Sequence, residues 1–186
     1  MQAALIFDCD GTLADTMPIH YRAWLEILRP FGAPFPEERF YAWGGIPTRE
    51  ISRRLCTEHG IPVDPIELLR KKEEAFLERL ADVRPLEKVV AVARAGRARL
   101  PMAVASGGYR SAVELTLRHL GILDWFGAVV TAEDTTRHKP EPDVFLEAAR
   151  RLGVPPGACT VYEDADLGIE AARRAGMRWV DVRVMP

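Results

Sequence analysis

Ala3-Ala4-Leu5-Ile6-Phe7-Asp8-Cys9-Asp10-Gly11-Thr12 begins as a continuous apolar run and stops abruptly on two carboxylates that bracket a cysteine. A run of this length ended by a turn signal reads as a short strand buried on both faces, and such strands belong to parallel sheets. Gly11 supplies the turn. Working outward, similar runs recur after Pro85, at Met102–Ala105, Ala128–Thr131, Thr160–Tyr162 and Trp179–Val182. Helical stretches lie between them: about Leu86 to Ala98, from Ser106-Gly107-Gly108 to about Leu120, Pro142 to Leu152, and Leu167 to Ala175. Strands alternating with helices of this length imply an α/β fold with a parallel sheet and right-handed crossovers.

Residues 16–80 read differently. Asp15 or Thr16 is placed to cap a helix with Pro18 in its first turn and Ile19, Ala23, Leu25 and Leu28 apolar, before Pro30, Pro34 and Pro36 interrupt it. A second helix is expected from Thr48, as N-cap, toward Glu58, stopped by Gly60. A third is expected from Pro65 to about Leu80, with Ile66, Leu69, Phe76, Leu77 and Leu80 on its apolar positions. No strand is expected here. The chain therefore divides into a split α/β core, residues 1–15 and 81–186, and a helical insert, residues 16–80.

The composition is that of an ordinary globular chain: 186 residues, 48% hydrophobic, 28% charged, with a formal net charge of −2. It excludes collagen-like, mucin-like and disordered chains. No apolar run approaches the roughly 18 residues of a membrane span. The first residues lack the basic n-region of a signal peptide. Three cysteines make no disulfide framework and no zinc-ligand pattern, which points to a reducing cytoplasm. The near-neutral charge argues against nucleic acid as a partner.

The strand ends carry the chemistry. Asp8-Cys9-Asp10, Ser106 and Glu163-Asp164 each close an apolar run, and ligands of open α/β sheets bind outside the carboxyl ends of the strands. The period of two puts Asp8 and Asp10 on one side and Cys9 on the other. Two close carboxylates repel, and a hard divalent cation, with Asp164 completing the cluster, offsets that cost. Mg2+ suits phosphate chemistry because it keeps some waters and accepts a phosphate oxygen. Lys139, in Arg137-His138-Lys139-Pro140-Glu141-Pro142-Asp143, would neutralise the nucleophilic carboxylate and a phosphoryl group. Ser106 and the backbone near Gly107 and Gly108 would hold phosphate oxygens. Each signal alone is weak, since Asp-Gly pairs, Ser-Gly loops and loop lysines abound on surfaces. Their meeting at one sheet edge gives them weight together.

At this point the residues resemble a family. Asp8-Cys9-Asp10-Gly11-Thr12-Leu13 is similar to the first motif, DxDGT, of the haloacid dehalogenase superfamily. Val104-Ala105-Ser106-Gly107 resembles its second motif, Lys139-Pro140-Glu141-Pro142 its lysine motif, and Glu163-Asp164-Ala165-Asp166-Leu167-Gly168 its EDxxxG motif. Order and spacing match over essentially the whole chain. The resemblance is closest to the sugar-phosphate phosphatases and β-phosphoglucomutases, with the tone of bacterial fructose-1-phosphate phosphatase-like proteins. It implies a Rossmann-like core and an inserted α-helical cap between the first and second motifs. It implies Asp8 as nucleophile, Asp10 as general acid/base, and Ser106, Gly107 and Lys139 as phosphoryl ligands. Mg2+ would be held by the Asp8 carboxylate, the Asp10 carbonyl and Asp164, with Glu163 supporting them from behind.

In the insert, His20-Tyr21-Arg22-Ala23-Trp24 matches a pattern of this cap type, and His20 is a substrate-binding candidate near Asp10. Arg49, at a loop-to-helix junction, is a candidate for a second anionic or hydroxyl-rich part of the substrate. Lys72 could overlie the site or sit on a solvated face, and Arg110 is a further candidate to reach substrate. Trp43, Trp125 and Trp179 read as packing. The expected activity is Mg2+-dependent hydrolysis of a small phosphorylated metabolite, a sugar-phosphate monoester, by a cytoplasmic protein. The expected assembly is a monomer, with a weak homodimer as the alternative. A sugar phosphomutase is the near alternative for the activity. A non-catalytic two-lobe binding protein and a haloalkanoate dehalogenase are further ones.

Overall fold

A computed structural model describes residues 4–185; Ala3, the first residue of the expected opening strand, lies outside them. Five parallel strands form one sheet in the order β3-β2-β1-β4-β5: β1 Ala4–Phe7, β2 Met102–Ala105, β3 Ala128–Val130, β4 Cys159–Glu163 and β5 Arg178–Asp181. The opening run is thus the central strand, pairing Leu5 with Met102 on one side and Thr160 on the other.

All four residues of β1 are buried, and they alternate between two cores. Ala4 and Ile6 pack under α7 (Asp143–Leu152) and α8 (Asp166–Arg174), where Ala103, Ala105, Ala148, Ala149, Ala171 and Ala172 allow close approach. Leu5 and Phe7 pack under α5 (Glu87–Gly96) and α6 (Arg110–His119), against Val89, Val90, Ala93 and Leu117. This two-sided burial is the reason the strand reads as a continuous apolar run rather than an alternating one.

Residues between β1 and α5 form four α-helices: α1 Met17–Leu28, α2 Glu37–Ala42, α3 Thr48–His59 and α4 Pro65–Leu77. They enclose their own core around Trp24, Leu28, Phe35, Phe40, Leu55 and Leu68. This is the helical cap. Its two connections to the core are bonded to each other, Asp15 N–H donating to Arg84 O (2.9 Å) and Leu86 N–H to Leu13 O (3.0 Å).

Several local expectations are corrected. The helix α2 is absent from the sequence reading: it has six residues and buries only Phe40, too little for a periodic signal. Pro47, not Thr48, precedes α3. Thr16 precedes α1, but its hydroxyl is spent elsewhere and caps nothing. Asp64 caps α4 instead, accepting from Ile66 N–H at 2.7 Å. Ile66 itself is exposed, and α4 buries the stripe Leu68, Leu69, Lys72, Ala75 and Phe76. Trp179 is exposed on the edge strand β5 rather than packed.

Candidate active site

The carboxyl ends of β1, β2 and β4 and the loop before α7 bring Asp8, Asp10, Ser106, Gly107, Lys139, Glu163 and Asp164 to one cavity, which the cap roofs. Lys139 is buried between carboxylates, donating to Asp8 Oδ1 (2.7 Å) and Glu163 Oε1 (3.0 Å). Burial works against its charge, but Asp8 and Glu163 outweigh it and raise its pKa above the ordinary lysine value. Ser106 is buried, and its Oγ accepts from Gly108 N–H at 3.0 Å. Cys9 points the other way into the sheet core; burial pushes its thiol pKa well up, so it stays inert.

Asp8, Glu163 and Asp164 each offer a carboxylate oxygen within 4.8 Å of the others. Both Glu163 oxygens are engaged: Oε1 takes Lys139, and Oε2 accepts Asp164 N–H at 2.8 Å. Asp164 Oδ1 accepts from Thr12 Oγ1 at 2.9 Å. Three carboxylates therefore face a single ammonium. Burial, with the repulsion of its neighbours, pushes Asp164 up to about 7 and Asp8 well above the usual carboxylate range. Such a cluster of hard oxygen donors with surplus negative charge fits Mg2+, which removes the imbalance.

That imbalance has a measurable consequence. A carboxyl whose pKa is higher folded than unfolded binds more protons in the folded state between the two values. Without divalent cations, the protein is expected to lose stability as pH rises from about 4, the unfolded carboxyl value, to the folded value of about 7 at Asp164. Saturating Mg2+ is expected to flatten that slope. Melting temperatures across this range, with EDTA and with Mg2+, test it; a metal-free protein that gains stability with rising pH would contradict it.

Two glycines are needed for the cluster to close. Gly11 has φ +81°, and Asp164 Oδ2 occupies the space its side chain would take. A Cβ on Gly168 would overlap Glu163 Oε1. Gly168→Ala is therefore expected to displace Glu163 from Lys139, costing about 1–3 kcal/mol of stability and weakening Mg2+ binding. Denaturant unfolding and Mg2+ titration read both effects, and a variant unchanged in both refutes the packing argument.

Asp10 stands apart from the cluster. Its Oδ1 accepts from Thr16 Oγ1 (2.7 Å) and contacts His20 Nε2 (3.2 Å). His20 Nδ1 lies 2.9 Å from Lys72 Nζ, and Lys72 also donates to Glu73 Oε1 at 3.0 Å. An ammonium only donates, so Nδ1 accepts and the ring proton sits on Nε2, facing Asp10. The imidazole stacks on Phe76 at 4.0 Å between ring centres. Burial alone would lift Asp10, but the hydrogen bonds from His20 and Thr16 and the charge of the more distant Lys72 hold it below the usual carboxylate range.

The candidates divide accordingly. Asp8, Asp10, His20, Ser106, Gly107, Lys139, Glu163 and Asp164 line the cavity. Arg49 does not: it is exposed and lines a separate groove with Arg53 and His138. At the loop leading into α3, Ile46 and Thr48 line the cavity while Pro47 and Arg49 line the groove. Arg110 turns away to Asp134 and Glu114. Lys72 is buried over the site rather than solvated, and Trp43, read as packing, lines the cavity.

A family model described as haloacid dehalogenase-like hydrolase matches residues 2–176. Fructose-1-phosphate phosphatase YqaB of Escherichia coli is 45% identical over 98% of this chain and 97% of its own length. The β-phosphoglucomutase of Bacillus subtilis is 31% identical over 96% of this chain and 82% of its own. Among solved structures, CbbY from Rhodobacter sphaeroides in complex with phosphate superposes with a TM-score of 0.85 at 28% identity, covering 96% of this chain and 85% of that one.

Proposed function

This chain belongs to the haloacid dehalogenase-like hydrolases as an enzyme of their phosphohydrolase type, and from that premise we propose that Asp8 is its nucleophile and a small, uncharged sugar carrying one phosphate its substrate. The observation that carries the roles is the separation of two carboxylates with opposite environments. Asp8 is held by Lys139 in the charged cluster, while Asp10 is held by Thr16 and His20 outside it. One is set to bond phosphorus and the other to move protons.

Asp8 Oδ2 attacks phosphorus while Lys139 fixes Oδ1, and the bond from phosphorus to the sugar oxygen breaks. Asp10 donates its proton to that leaving oxygen. A phosphate dianion beside Asp10 works against its depressed pKa and favours the protonated form that this step uses. Asp10 then takes a proton from water, which attacks the aspartyl phosphate; phosphate leaves and Asp8 is regenerated. Ser106 and the Gly107 backbone hold the phosphoryl oxygens. Asp8 and Asp164, with the Asp10 carbonyl, would hold Mg2+, and Glu163 keeps Asp164 and Lys139 in place. Bound Mg2+ supplies charge neutralisation for the phosphoryl oxygens.

Hydrolysis is favoured over phosphoryl return to the sugar. A mutase needs a second anion site in the cap, but Lys72, the lysine or arginine that the cap contributes to the cavity lining among the described residues, is committed to His20 and Glu73, and Arg49 lines a separate groove. Incubation with a panel of hexose and pentose monophosphates, with Mg2+ or EDTA, tests the reading. Mg2+-dependent free phosphate is expected. Isomerised sugar phosphate without phosphate release would replace it with the mutase.

A further inference from the structure

The cap's side of the cavity is strongly apolar, with Trp24, Phe40, Trp43, Ile46 and Ile51 forming most of it. Its polar groups are His20, Lys72 and Thr48, of which the first two are bonded to each other. The aromatic groups are not equally available. Trp24 is 1% exposed and Phe40 4%, both packed into the cap core, whereas Trp43 is only half-buried. Trp43 is therefore the aromatic ring of this wall that a bound molecule can touch.

Its indole is held firmly. The Arg39 guanidinium lies 4.3 Å from the ring centre and Arg54 5.5 Å, with Phe35 tilted against it at 5.4 Å. Arg39 is paired with Glu58 and Arg54 with Glu50, so both guanidinium charges are already balanced. The next two residues, Gly44 and Gly45, run against Ala165 and Leu167 of the core, and Gly45 O faces Gly107. The ring is thus presented at the seam where the cap meets the phosphate-holding and metal-holding loops.

We propose that Trp43 is a specificity-determining residue: its indole receives the C–H face of an uncharged sugar ring, and the surrounding wall disfavours any substrate with a second anionic group. The π-surface of an aromatic ring attracts partly positive C–H groups. An apolar wall whose nearby cations are already paired leaves a second phosphate or carboxylate desolvated with little compensation. This inference rests on the phosphatase reading above and deepens it.

The test compares kcat/KM for a sugar monophosphate, the corresponding bisphosphate, phosphoglycolate and acetyl phosphate, in wild type, Trp43→Leu and Trp43→Phe. Wild type is expected to prefer the sugar monophosphate over the bisphosphate and phosphoglycolate by about tenfold or more. In Trp43→Leu the ratio of kcat/KM for sugar monophosphate to that for acetyl phosphate is expected to fall about tenfold, mostly through KM, and Trp43→Phe to keep most of it. An unchanged ratio in Trp43→Leu, or equal wild-type turnover of the bisphosphate, overturns the inference and leaves the phosphatase reading intact. Absence of Mg2+-dependent phosphate release from every compound overturns the phosphatase reading and this inference with it.

Discussion

Asp8→Asn is expected to lower phosphate release by on the order of 10^4-fold or more and to leave the metal-free protein at least as stable as wild type. The first part follows from chemistry: a carboxamide does not form the aspartyl phosphate, and nothing else in the cavity replaces it. Cys9, the adjacent nucleophile, faces the sheet core with its thiol pKa raised well above the ordinary value. The second part follows from the sign of the Asp8 shift. Burial raises its pKa, Lys139 opposes this, and Glu163, Asp164 and Asp10 add to the rise. A folded pKa above the unfolded one means that the charge costs stability at neutral pH, and an isosteric amide removes the cost. Active sites commonly hold such a conflict between activity and stability. Turnover within about a hundredfold of wild type would exclude Asp8 as nucleophile. A melting temperature several degrees lower without metal would mean that its pairing with Lys139 outweighs the repulsion.

Lys139→Met is expected to do the opposite to stability. It removes the one ammonium facing Asp8, Glu163 and Asp164 and leaves the carboxylates buried with no counter-charge. Breaking a buried pair on one side costs about 3–5 kcal/mol, which at this size lowers the melting temperature by about 10 °C. Added Mg2+ is expected to raise the melting temperature of this variant more than that of wild type, because the cation then carries the whole compensation. Activity is expected to fall by about 10^2–10^3-fold through lost electrostatic stabilisation. In wild type, the contribution of the lysine to stability is fully present below its unfolded pKa, declines between that value and its raised folded one, and is gone above it. It therefore adds no slope near neutral pH, and the carboxylates govern that range. Calorimetry of the two proteins, with EDTA and with Mg2+, separates these effects; equal melting temperatures would refute the account of Lys139.

The core was legible because it is written in short apolar runs, each ending at a polar group. β1 followed by Asp8, β2 followed by Ser106, and β4 ending at Glu163 all present that signature. The cap was legible only in outline. Its longer helices show themselves by apolar spacing, but α2 is too short for a period to register, and Ile66 was placed on the wrong face of α4. Within the site, what escaped was direction. Arg49 and Thr48 are neighbours in sequence, yet one lines a separate groove and the other the cavity. Lys72 sits in a run of charges that reads as solvated, and only the packing of α1 on α4 buries it against His20. Trp43 was read as packing because an aromatic residue carries no label for which of its surfaces stays open. Such orientations are decided by how helices dock, which no local pattern records.

The strand order has a consequence for the birth of the molecule. β1 is made first and lies in the middle, so both of its edges stay unpaired until residues 102–105 and then 159–163 have been synthesised. Contacts such as Thr12 with Asp164 span 152 residues, and Lys139 with Asp8 spans 131. Closing such distant contacts is slow, and a half-made chain exposes strand edges that invite pairing with other chains. A nascent chain carries the opening carboxylate pair early, but it gains an assembled reaction centre only when α8 brings Gly168 against Glu163. Catalytic competence therefore arrives late, only after β4 and α8 have been made.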